Sequence, residues 1–187
     1  MAPPRKARHA AREPQPRRVV FTLRTVLYAI AFFLIFGLTV SELGLVSSQL
    51  HKYGEGYTNY PSKGYKHTLG LLLFSVIWSL LGVLGHPWLG IGATAIFSFS
   101  AAVFFGVGAG LIHLRTPFQG HSCSSKPVEE YPVEWQPYAE ECAIIVSIQG
   151  CAWALWALYI FLMVGTIVHK FDIRRRPTPE GFYHSKP

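Results

Sequence analysis

Charge is scarce in this sequence. Only 14% of its 187 residues are Asp, Glu, Lys or Arg, against about 25% in an average soluble domain. Half are hydrophobic and 14% are aromatic, so a soluble fold would lack the polar residues to cover its surface. Catalytic signatures are missing as well. The three cysteines, Cys123, Cys142 and Cys151, form no Cys-x-x-Cys pair, the motif a thiol–disulfide oxidoreductase would need. No His-Glu-x-x-His, Gly-x-x-x-x-Gly-Lys or Gly-x-Ser-x-Gly occurs, which removes the usual zinc-peptidase helix, phosphate-binding loop and serine elbow. The eight histidines are scattered. Several of them (His67, His86, His113, His169) stand at the ends of apolar runs, where an interfacial role is the default. The expectation is a non-enzyme with no cofactor and no metal.

What the sequence does contain is four long apolar runs: about 25–47, 67–84, 89–112 and 142–168. At 1.5 Å per residue each is of the right order to cross a hydrocarbon layer of roughly 30 Å. The first run is longer than the apolar region of a cleaved signal peptide and follows an extended basic tail. Residues 48–66 read as a polar loop with turn signals at Gly54, Gly56, Pro61 and Gly64. Gly85-His86-Pro87-Trp88 carries no formal charge and marks a tight hairpin between the second and third runs. Residues 113–141 form the longest loop and hold Glu129, Glu130, Glu134, Glu140 and Glu141 against Arg115 and Lys126. The reading is an all-α membrane protein, a four-helix bundle.

The net charge of +7 is concentrated at the two ends. Residues 1–24 hold seven basic residues and four prolines and read as a disordered basic tail. Residues 169–187 hold five more and read as a second tail. An Arg-rich, acid-poor start also resembles a mitochondrial transit peptide, a reading the prolines weaken. Four crossings put both tails on one side, with twelve basic residues there and five in the two opposite loops. This positive-inside bias predicts both termini in the cytoplasm. Arg17, Arg18, Arg24, Lys170, Arg174, Arg175 and Arg176 are then candidates for contact with anionic inner-leaflet lipids, and nucleic acid is not the expected partner.

Lipid does not drive helices together, so small residues that permit close approach are candidates for packing. Ala102, Gly106 and Gly110 recur at intervals of four on the third run, and Ala143, Ser147 and Cys151 on the fourth. Gly37 and Ser41 on the first run, and Ser75 and Ser79 on the second, offer the same. Cys123 and Cys142 flank the acidic loop; on a non-cytoplasmic side they are a disulfide candidate, with two free thiols as the alternative. Glu42 is an intramembrane acid, expensive to bury. Either it reaches the outer interface, toward Lys52 or Lys66, or it makes a polar contact or a proton- or cation-sensing site inside the bundle. Trp88 and Tyr65 suit the headgroup region, while Trp78, Trp153 and Trp156 sit deeper.

The layout resembles that of MARVEL-domain proteins, the fungal branch in particular. The features that carry the resemblance are Arg24 in FTLRTVLYAIAFFLIFGL, the near-charge-free hairpin, the Cys-flanked loop, FSVIWSLLG and CAWALWALYIF. It covers about residues 19–170. Neither the Cys-Cys-Gly of tetraspanins nor the first-loop pattern of claudins occurs. The resemblance implies a membrane-organising protein of lateral domains, membrane apposition or vesicle traffic, with no catalytic residues. The plasma membrane or secretory and endosomal vesicles are the expected location, and association with further copies or other membrane proteins is left open. The alternative is a small transporter or channel subunit with Glu42 in a polar pathway.

Overall fold

In a computed structural model of the chain, residues 23–120, 123 and 126–175 are described. Among them are four long helices: α1 (Leu23–Tyr53), α2 (Lys63–Gly85), α3 (Ile91–Arg115) and α4 (Cys142–Arg175). No strand occurs among the described residues. All four helices are long and apolar enough to cross a membrane, by length and composition. Three short 3-10 segments, Tyr57–Asn59, Val128–Glu130 and Gln136–Glu141, lie in the connections.

The helices are packed in a ring, α1 against α2 and α4, and α3 against α2 and α4. Each buries one stripe. On α1 the buried residues are Thr25, Phe32, Ile35, Thr39, Glu42, Val46 and Gln49. Their spacing alternates threes and fours from Phe32 onward, the seam of a left-handed bundle. The α4 stripe runs Cys142, Ile145, Ile148, Ala152, Leu155, Tyr159, Leu162 and Thr166, alternating in the same way from Ile145 onward. Outward faces carry Phe33, Leu81, Ile96 and Phe161, all exposed, as lipid-facing positions should be.

The helix ends differ from the sequence expectation, and for local reasons. α1 does not stop at Ser47 but continues to Tyr53, so the 48–66 loop shrinks to 54–62. At 1.5 Å per residue its 31 residues reach about 46 Å, beyond the hydrocarbon layer, where polar side chains no longer oppose helix. It ends at Gly54, whose φ of 64° is the left-handed cap that glycine accepts, with Gly54 N–H donating to Leu50 O at 2.9 Å. α2 begins earlier than His67 because Ser62 caps it, its Oγ accepting from Tyr65 N–H at 3.1 Å. α3 spans 91–115 instead of 89–112 and closes where Thr116 N–H reaches Ile112 O, just before Pro117. α4 extends through Arg175, so residues 169–175 are helix and not tail.

The bundle has two unlike ends. One carries the α2–α3 hairpin, the N-terminal end of α1 and the C-terminal end of α4. The other, the capped end, carries residues 54–62 and the segment between α3 and α4. There Phe118, Tyr131 and Trp135 are buried and meet edge to face, Phe118–Tyr131 at 5.0 Å and Phe118–Trp135 at 5.4 Å between centroids. Cys123 and Cys142 form a disulfide across this cap, their Cα atoms 5.5 Å apart, which ties the loop to the first residue of α4. Cys151 is a free thiol.

Candidate functional site

Small residues settle only part of the packing. Ala102 is buried as expected, and a Cβ on Gly106 would lie 2.7 Å from Trp156 Cδ1. Gly110, however, faces open space, and Ala143 and Ser147 are exposed, Ser147 Oγ donating to Ala143 O at 2.7 Å. Cys151 is half-buried. Gly37 and Ser41 also face outward. The reason is angular: steps of four drift off a seam whose steps alternate three and four. The close approaches that sequence reasoning missed include Gly82, where an added Cβ would run into the Phe97 ring, and Gly108, where it would run into the Leu72 side chain. Ser75 and Ser79 do face inward.

The aromatic expectations divide in the same way. Trp88 at the hairpin is 85% exposed, as an interfacial anchor would be. Tyr65 is instead buried at the capped end, edge-on to Trp135 at 5.5 Å. Trp78 is half-buried and stacks on Phe97 at 5.2 Å, but Trp153 and Trp156 both lie at the lipid-facing surface, against the expectation of deep packing.

Polar side chains converge along the α1 seam, at three levels. Toward the hairpin end, Thr39 Oγ1 shares a hydrogen bond with Ser79 Oγ at 2.8 Å, and Ser79 Oγ shares another with Tyr159 OH at 2.6 Å. This chain links α1, α2 and α4, and every member is buried. At the capped end, Gln49 Nε2 and Lys52 Nζ both donate to Glu141. Glu141 is 5% exposed, whereas the Lys52 side chain is 61% exposed, so a surface cation reaches in to a buried acid. Burial would push the Glu141 carboxyl up, but the bonds from Lys52 and Gln49 and the Lys52 charge outweigh it and hold it below its ordinary value.

Between these levels sits Glu42. It is 0% exposed, and neither carboxyl oxygen has a hydrogen-bond partner. The interfacial alternative is thereby corrected: Lys52 is engaged by Glu141, and Lys66 donates to Glu55 O while lying 4.1 Å over the Tyr57 ring. Glu42 occupies a seam position, so its side chain is aimed at α2 and α4 and cannot climb outward. Recognising this needed the alternating three-four spacing of Thr39, Glu42, Val46 and Gln49, which the sequence carries.

Of the basic lipid-contact candidates, Arg17, Arg18 and Arg176 lie outside the described residues, as do residues 1–22 and 176–187 of the two tails. Arg24 falls in the first turn of α1, and Lys170, Arg174 and Arg175 in the last turns of α4. Among the described residues no cluster of His, Cys, Asp and Glu could hold a metal ion. Comparison of the chain with protein-family models, curated proteins and solved structures finds no match.

Proposed function

We propose that this chain is a non-enzymatic, membrane-organising protein. In this reading it crosses the bilayer four times, with both termini and the α2–α3 hairpin in the cytoplasm and the capped end outside. The observation that carries it is the division of surfaces. The seams are filled by side chains such as Ile35, Leu72, Phe105, Ile148 and Leu155, all fully buried, while large apolar residues face outward on every helix. Such a bundle offers its partners a lipid-facing perimeter and a rigid, disulfide-closed cap. The positive-inside bias supports the orientation, and the layout shared with MARVEL-domain proteins supports lateral membrane domains, membrane apposition or vesicle traffic. The basic tails would then hold anionic inner-leaflet lipids, at about 1 kcal/mol per residue near the surface.

A C-terminally tagged chain tests this reading. Patches or vesicles at the cell periphery agree with it; a mitochondrial pattern overturns it. The burial of Glu42 without a partner favours a second reading, a small transporter or channel subunit whose pathway follows α1. Ion or proton flux in reconstituted vesicles that Glu42→Gln abolishes would establish that reading, and its absence would remove it.

A further inference from the structure

Glu42 sits in a compartment with a floor and a ceiling. The Thr39–Ser79 bond fixes the antiparallel register of α1 against α2, so that Ser75 and Val76, both fully buried, stand at the level of Glu42. Against α4 the register is fixed by the approach of Tyr28 OH to Gly165 below and by the Gln49–Glu141 bond above. Ile148, Cys151, Ala152 and Leu155 therefore lie alongside. None of these neighbours hydrogen-bonds the carboxyl group, whose two oxygens are without a partner: Ser75 Oγ donates to Leu71 O at 2.7 Å, Thr39, Ser79 and Tyr159 are joined to one another, and Cys151 offers only a weak S–H donor.

The titratable groups around it are few. On α4, Cys151 is within electrostatic reach, and Tyr159 lies a turn below behind Ser79. On α2 the titratable groups Lys63, Tyr65, Lys66 and His67 are at the capped end, as are His113 and Arg115 on α3. Glu141, at the level of Gln49, and Lys52 stand two turns or more above, roughly 10–15 Å along the axis at 1.5 Å per residue. Among the described residues no cation is placed to neutralise Glu42.

A bare carboxylate in a dry interior is strongly disfavoured, and it escapes by taking a counter-charge or a proton. A metal ion needs several oxygen ligands, and this compartment offers a single carboxylate, with no group of three ligating side chains among the described residues. We propose that Glu42 is an intramembrane proton-binding site: the carboxylic acid is neutral when α1 is seated on α2 and α4, and loss of its proton unseats that seam. The site stands on the geometry of α1 and holds whether the bundle organises membrane or conducts.

The test is infrared spectroscopy of the full chain in lipid nanodiscs, followed across pH, for wild type and Glu42→Gln. The expected result is a neutral-acid carbonyl band at neutral pH, of about one carboxyl per chain, that Glu42→Gln removes. In wild type the band is lost at alkaline pH together with thermal stability, a loss that the variant does not share. Glu42→Asp, which keeps an acid, shifts the band instead of removing it, and serves if Glu42→Gln does not fold. Identical neutral-acid spectra for wild type and variant, or a wild-type melting profile that does not weaken at alkaline pH, would overturn the proposal.

Discussion

At the scale of single residues, the two acids buried among the described residues behave as opposites. Glu141 is satisfied by Gln49 and Lys52, whereas Glu42 is satisfied by neither neighbour nor cation. The Glu141 carboxyl is held below its ordinary value. Its contribution to stability is thus fully present above its unfolded-state value and is lost as pH falls through the lower, folded one. Glu141→Ala leaves the Gln49 amide buried without its acceptor, a loss of about 1–3 kcal/mol. Thermal unfolding in detergent should show it as a lower midpoint at neutral pH, and the gap to wild type should narrow in acid. Lys52→Ala should do less, because its side chain is largely in water. Sequence alone exposed Glu42 as an anomaly but left its direction open. An acid near the end of an apolar run can climb to the interface or turn inward, and only the seam spacing through Thr39, Val46 and Gln49 decides.

At the scale of helices, the apolar runs were legible and their ends were not. Hydropathy locates the part of a helix in lipid, while the chain stays helical until a cap ends it, at Gly54 for α1 and Thr116 for α3. The tight hairpin between α2 and α3 was readable from Gly85 and Pro87, since those residues are the breaking signal. Which face a helix buries was harder, because nearly every residue of a span is apolar and the contrast between faces is small. Gly106 and Gly110 make the point as a pair. Gly106→Leu forces a side chain into Trp156 and should cost about 1–3 kcal/mol by overpacking. Gly110→Leu enters open space and should leave the detergent unfolding midpoint within error of wild type. Equal losses from both would show that the α3–α4 seam is placed wrongly.

At the scale of the whole molecule, four helices, the cap and the Cys123–Cys142 pairing form one unit. The span count and the pairing of cysteines across the acidic loop could be read in advance, because length against bilayer thickness and charge placement are coarse constraints. The aromatic cap could not, since Phe118, Tyr131 and Trp135 are brought together by the fold and are spaced irregularly in sequence. Closing a loop across 19 residues contributes about 3 kcal/mol by chain entropy. Cys123→Ser, or reduction of wild type, should lower the unfolding midpoint, and protease should then cut near Val133 more readily. The most direct test of the whole account is which side each end of the bundle faces. An impermeant maleimide added to intact cells should label Val133→Cys in the cap and leave Ser185→Cys in the C-terminal tail untouched until the membrane is opened. Labelling of the tail position in sealed cells would contradict the arrangement of four crossings with both termini inside.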